Sequence, residues 1–267
     1  MASTIDLKGK AAFVQGGSRG IGAAIARRLA ADGAAVAISY VNAADKAQAV
    51  VDAIRADGGR ALAYQADSMD ADALRNAIRS AAAEFGGLDI LVNNAGVLAL
   101  GTIDQMALED FDRTFAVNVR SVFIATQEAV RHLRDGGRVI HIGSTNAERV
   151  PFAGGSAYAM SKSALVALTK GMARDLGPRG ITVNNVQPGP VDTDMNPDDG
   201  EFAASLNATA APPRACRPPC GSDRLPAAAA RTGSPARSRS RLRSGMRAVP
   251  GFRCLRQSPS CRACAPS

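Results

Sequence analysis

From residue 11 onward, short apolar runs alternate with longer stretches in which apolar positions recur at helical spacing. The runs cover 11–15, 34–40, 60–65, 88–92, 138–142 and 181–186, and the helical stretches cover 20–32, 43–57, 70–85, 108–134 and about 156–176. A connection of helix length cannot close a hairpin, so the strands are expected to be parallel and joined by crossover helices. Ile90-Leu91-Val92 and Val139-Ile140-His141-Ile142 are nearly continuous runs without period-2 alternation. That is the pattern of strands covered on both sheet faces. The expected fold is therefore α/β, a doubly wound (Rossmann) parallel sheet of six strands with helices on both faces. The punctuation agrees: Asp70 precedes the third helical stretch, Gly33 and the pairs Gly58-Gly59 and Gly86-Gly87 stand where helices must stop, and Pro178 follows Leu176.

Charge and cysteine content divide the chain. Over all 267 residues the formal charge is +8, which taken whole would suggest a nucleic acid, an anionic membrane or an acidic ligand. Residues 1–200, however, carry 20 Lys and Arg against 22 Asp and Glu, whereas residues 201–267 carry 12 Arg against 2 acids. All five cysteines (Cys216, Cys220, Cys254, Cys261, Cys264) and nine of the prolines fall after residue 211. Together with the run Arg237-Ser238-Arg239-Ser240-Arg241, this composition lacks the apolar surface that offsets ordering entropy, so disorder is expected there. A further short helix over 201–211 is conceivable. The spacings Cys216-x3-Cys220 and Cys261-x2-Cys264 resemble zinc-ligand pairs, but amid Pro and Arg accidental composition is the better reading. No specific nucleic-acid partner is expected. No stretch of 18 apolar residues and no signal-like N-terminus occurs, so a cytoplasmic chain without membrane partners is expected.

The first strand runs directly into Gly16-Gly17-Ser18-Arg19-Gly20-Ile21-Gly22 and then a helix. Glycine lets a backbone turn tightly and approach a pyrophosphate, whose charge is met by the free N–H groups at the helix start. A turn packed only for shape is the bland alternative. Further along stand Asp67-Ser68 after the third strand, Asn93-Asn94-Ala95-Gly96 after the fourth, Asn118, Ser144, Tyr158-x3-Lys162, and Pro188-Gly189 with Thr193. As a set these resemble the short-chain dehydrogenase/reductase family over about residues 7–205.

The resemblance implies a division of labour. Tyr158 is the general acid when a ketone is reduced and the base in the reverse direction, and Lys162, one helical turn on, lowers the phenol pKa and holds the nicotinamide ribose. Ser144 hydrogen-bonds the substrate oxygen, with Thr145 the lesser candidate, and Asn118 positions a water that extends the proton relay. Gly16, Ser18, Arg19, Gly20, Ile21 and Gly22 take the pyrophosphate region. Tyr40, Asp67 and Ser68 take the adenosine, Asn93, Ala95 and Gly96 border the cofactor, and Pro188, Gly189, Val191 and Thr193 fix the nicotinamide. Asn93 and Asn94 could equally be structural links between strands. His132 and His141 are read as structural.

An acidic residue at the end of the second strand would hold a ribose 2′-hydroxyl and repel a 2′-phosphate. That end reads Ile38-Ser39-Tyr40-Val41-Asn42, with Arg19 nearby in the glycine turn, so NADP(H) is expected over NAD(H). Motifs similar to those of 3-oxoacyl-(acyl-carrier-protein) reductases suggest a carbonyl or alcohol substrate. The alternative is a cyclic-di-GMP-binding regulator of the same family, and a second is a chain rendered inactive. That last reading follows from the tail: residues 1–205 form the expected NAD(P)-binding domain, but 206–267 lack the family's last strand, as if lineage-specific or shifted in reading frame near Leu206-Asn207. Family members assemble as homodimers or homotetramers through helices corresponding to 108–134 and 156–176, and the missing strand puts the tetramer in doubt.

Overall fold

Parallel pairing of six strands in the order β3-β2-β1-β4-β5-β6 organises the chain. The computed structural model describes residues 6–197. In chain order the elements are β1 (Ala11–Gln15), α1 (Gly20–Ala31), β2 (Ala35–Tyr40), α2 (Ala44–Ala56), β3 (Ala61–Gln65), α3 (Ala71–Phe85), β4 (Leu88–Asn93), α4 (Leu108–Phe115), α5 (Ser121–Ala129), β5 (Leu133–Ile142), α6 (Ser156–Leu176) and β6 (Thr182–Val186). The doubly wound α/β architecture expected from the apolar pattern is the one observed. The readings of 201–211, of the tail and of its cysteines lie outside the described residues.

Alternate strand residues feed two cores. Phe13, Leu91, Val139 and Val183 pack under α3, α5 and α6, against Leu74, Ile78, Ile124 and Leu176. Val14, Val36, Ile38, Val92 and Ile142 face the other way, against Ala23 and Ala26 of α1 and Val50, Val51 and Ile54 of α2. Nearly continuous apolar strands follow from this two-sided burial. Helix ends obey local chemistry: the Asp70 carboxylate caps α3 by accepting from the N–H groups of Asp72 and Ala73, and Gly86 closes it at φ 69°.

One expected helix is corrected. Residues 108–134 do not form a single helix: α4 gives way to a π-helical turn at Ala116–Arg120, α5 ends at Ala129, and β5 begins at Leu133. The backbone of 130–134 finds other partners there. Leu88 N–H donates to His132 C=O, Leu133 pairs with Leu88, and the Arg179 guanidinium donates to the carbonyls of Val130 and Leu133.

The core ends in a polar row. One step beyond Phe13, Leu91, Val139 and Val183, four residues lie in register across neighbouring strands: Gln15, Asn93, His141 and Asn185. Gln15 Nε2 donates to the hydroxyls of Ser68 and Ser121, and Asn93 Nδ2 bonds Thr126 Oγ1 and His141 Nδ1. Because Thr126 spends its own proton on the Val122 carbonyl, it must accept from the Asn93 amide. The amide's other hydrogen then goes to His141 Nδ1, which fixes the neutral imidazole with its proton on Nε2.

Candidate active site

The strand order reverses between β1 and β4, and at the carboxyl ends of these strands a cavity of about 1380 Å³ opens. A crevice at this switch point is where doubly wound sheets take their ligands. Gly16, Ser18, Arg19, Gly20 and Ile21 line it on one side. Gly16 has φ 71°, and a Cβ there would come 2.9 Å from Ala95 Cα, so only glycine lets the turn meet the 94–96 segment. Asn94 Nδ2 donates to the Gly16 carbonyl at 2.8 Å and fastens the two segments together.

Among the described side chains none caps the N-terminus of α1 or of α2, in contrast to α3. The first-turn N–H groups of α1 are therefore free to meet an anion beside the glycine turn. Tyr40, Asn42 and Asp67 line the cavity together with Arg19. Cavity size, glycine turn and free helix start fit a dinucleotide.

At the other end, Ser144, Tyr158 and Lys162 come together on the cavity wall. Ser144 stands just past β5, after Gly143, while α6 brings Tyr158 and Lys162 to one face, a turn apart. The Ser144 hydroxyl accepts from Asn146 N–H at 3.1 Å, which leaves its own proton to donate to the Tyr158 phenol. Thr145, the other candidate hydroxyl, is exposed, and its N–H donates to Pro188 C=O. Lys162 Nζ donates to the Ile142 carbonyl at 2.9 Å and lies 5.8 Å from the Tyr158 ring centre. Burial pushes the Lys162 ammonium down to about 8.

The expectation that Lys162 lowers the phenol pKa is not met in this arrangement. Burial pushes the Tyr158 phenol up, and the opposing Ser144 hydrogen bond is the smaller effect. The ammonium is tied to a strand carbonyl, not to the phenol oxygen. A raised pKa keeps Tyr158 protonated at neutral pH, the state required of an acid.

Three expected site residues stand behind the cavity wall. Asn118 sits in the π-helical turn with its side chain clamped to both backbone groups of Val97 and to Ser161 Oγ. It holds the segment after β4 in place beside Gly96, where a Cβ would lie 3.4 Å from Asn118 Oδ1 and 3.5 Å from Lys162 Nζ. The Asn93 side chain points into the polar row toward Thr126 and His141, because alternation along β4 sends it to the α5 side. Gly22 makes room: a Cβ there would lie 2.2 Å from the Gly16 carbonyl oxygen. Ser68 borders the cavity but turns its hydroxyl to Gln15. Ala95, Gly96, Pro188, Gly189, Val191 and Thr193 all line the cavity.

His141 is fully buried in β5, and His132, just after α5, bonds Glu128. Asn94 fits its reading as a structural link, here between the glycine turn and the segment after β4, whereas Lys46 and Asp194 entered no sequence reading. The chain itself offered one signal for Lys46, a cation two residues into the helix that follows β2.

Comparison with known proteins bears on this geometry. A family model described as short chain dehydrogenase matches residues 10–203. The chain belongs to the short-chain dehydrogenase family. It is 46% identical over 200 residues to the cyclic-di-GMP-binding biofilm dispersal mediator protein of Escherichia coli, covering 75% of this chain and 81% of that one. A short-chain dehydrogenase/reductase from Serratia marcescens superposes with a TM-score of 0.74 at 69% identity, over 76% of this chain and 82% of the other. A short chain dehydrogenase from Burkholderia cenocepacia, solved in complex with NADP, gives 0.74 at 60% identity over the same shares. The Ser144-Tyr158-Lys162 group and the glycine turn line one and the same cavity. Among the described residues no helix of this family member is long and apolar enough to cross a membrane.

Proposed function

We propose that this short-chain dehydrogenase is an NADP(H)-dependent carbonyl reductase, moving a hydride between the nicotinamide and a carbonyl or alcohol substrate. The observation that carries the reading is the meeting of Ser144, Tyr158 and Lys162 on the wall of the cavity that Arg19 borders at its other end. NADP(H) would be held by the glycine turn and the α1 N-terminus at its pyrophosphate, by Tyr40 and Asp67 at the adenosine, and by Pro188, Gly189, Val191 and Thr193 at the nicotinamide. When bound, it supplies or accepts the hydride at the carbonyl carbon. The protein manages the proton. Ser144 turns its one hydroxyl proton from the Tyr158 phenol to the carbonyl oxygen as negative charge gathers there, and Tyr158 O–H delivers its proton to the same oxygen. The Lys162 ammonium, anchored on the Ile142 carbonyl, would hold the nicotinamide ribose hydroxyls beside Tyr158. In the reverse direction Tyr158 must first lose its proton, so oxidation is favoured at alkaline pH.

The substrate end is lined by Val97, Leu98, Leu100, Val117 and Phe152, which suits a carbonyl flanked by apolar groups. The activity is tested by NADPH consumption with a panel of ketones and 3-oxoacyl thioesters. Turnover with at least one ketone or thioester is expected; NADPH binding without turnover on any of them overturns the reading.

A second reading is favoured by the 46% identity to the cyclic-di-GMP-binding protein. Arg113 and Arg149 also line the cavity and would meet the phosphates of such a ligand. Saturable cyclic-di-GMP binding in a chain that turns over no carbonyl would replace the first reading by this one.

A further inference from the structure

Arg19 and Lys46 come from different elements, the glycine turn and the first turn of α2, yet both reach a single carboxylate oxygen. Lys46 Nζ lies 2.7 Å and Arg19 Nη1 3.3 Å from Asp194 Oδ2. Two cations thus share one negative charge, and the trio keeps a net positive charge. The arrangement is also exposed: the three side chains are about half open to solvent, so the ion pairs are weak and readily exchanged. Arg19 and Asp194 both line the cavity. A phosphate monoester carries close to two negative charges at neutral pH and three acceptor oxygens, and would satisfy both cations where one carboxylate does not.

Asp194 is not an independent surface residue. It sits in the tight turn closed by reciprocal hydrogen bonds between Thr193 and Asn196, next to Val191 and Thr193 of the cavity wall. Thr193 in turn packs against the glycine turn, 3.3 Å from where a Gly20 Cβ would stand.

We propose that Lys46 is the second cation, beside Arg19, of the seat for a phosphate monoester such as the 2′-phosphate of NADP(H). Asp194 competes with the phosphate for that seat. The inference rests on the NADP(H) reading above and adds to it a residue that discriminates between cofactors and an internal competitor. A charge contact of this kind near the surface is worth a few-fold in affinity.

The test uses the adenosine half alone, so that chemistry plays no part: 2′,5′-ADP and 5′-AMP are titrated by calorimetry into the full chain and into Lys46→Gln and Asp194→Asn. All three side chains are exposed, and an unchanged melting temperature confirms that the variants remain folded. Lys46→Gln is expected to weaken 2′,5′-ADP about fivefold and Asp194→Asn to tighten it about threefold, with 5′-AMP unaffected in both. If the full chain binds 2′,5′-ADP no better than 5′-AMP, both the NADP(H) reading and this inference fall. If it does prefer 2′,5′-ADP, but Lys46→Gln keeps the whole preference or Asp194→Asn weakens it, this inference alone is overturned.

Discussion

His141 gives the account a quantitative handle on stability. It is fully buried in β5, bonded through Nδ1 to the Asn93 amide, and burial pushes its pKa from 6.5 down to about 4. In the unfolded chain the imidazole takes a proton as pH falls through 6.5, whereas the folded protein resists until about 4. Between these values the unfolded state binds more protons, so stability falls with pH through that window and is unaffected above it. At about 1.4 kcal/mol per pH unit the full loss is about 3 kcal/mol, of which about 2.5 is incurred by pH ~4.5. Asp89 does not confuse the window. Burial pushes its pKa up, but the Ala11 N–H bond and the pairing with Lys10 and Arg134 together outweigh it and hold the carboxylate below its usual value, so its contribution is lost only under more acidic conditions. Urea unfolding at pH ~7.5 and ~4.5 should show the midpoint of the natural chain falling by about 1 M. His141→Gln can still accept from Asn93. It should cost about 1 kcal/mol at neutral pH and then lose much less on acidification. Parallel midpoint shifts in the two proteins would refute the assignment of a buried neutral imidazole.

Other consequences can be checked directly. Gly22→Ala places a methyl 2.2 Å from the Gly16 carbonyl oxygen and 2.5 Å from Asn94 Nδ2, so the glycine turn must open. A cost of about 1–3 kcal/mol is expected, with NADPH affinity reduced by at least an order of magnitude in a fluorescence titration. Because Lys162 loses its proton near pH 8, ketone reduction should be level below that pH and decline above it, and Lys162→Gln should abolish the decline along with most of the rate. Phe123 of α5 and Met160 of α6 are each 49% exposed, and self-association through these two helices predicts that the double change to Glu lowers the sedimenting mass to that of a monomer with the fold intact; an unchanged mass contradicts it.

Much of this architecture is legible in the sequence because its causes are local. Continuous apolar runs read as doubly covered strands, and Gly33, Gly58 and Gly86, which read as helix stops, all adopt the left-handed backbone that favours glycine. The break of the 108–134 stretch is not legible, since its cause is a tertiary pairing of Leu133 with Leu88 and the guanidinium of Arg179, some 45 residues away. In the site, residues whose role depends on the backbone, such as Gly16, lie where the motif puts them. Side-chain direction is harder to foresee. Asn93 and Asn94 are neighbours in a turn motif, yet one points into the core and the other fastens the glycine turn. Lys46 and Asp194 are separated by 148 residues and meet only through the fold.

The central claim is that Tyr158 gives the proton to a carbonyl held beside NADPH. The most direct measurement pairs NADPH titration with single-turnover NADPH oxidation, on the chain as it stands and on Tyr158→Phe, using the best ketone of the panel. The account predicts equal NADPH affinity in the two proteins and a rate at least about a hundredfold lower in the variant. A Tyr158→Phe protein that reduces the ketone as fast as the original would contradict it.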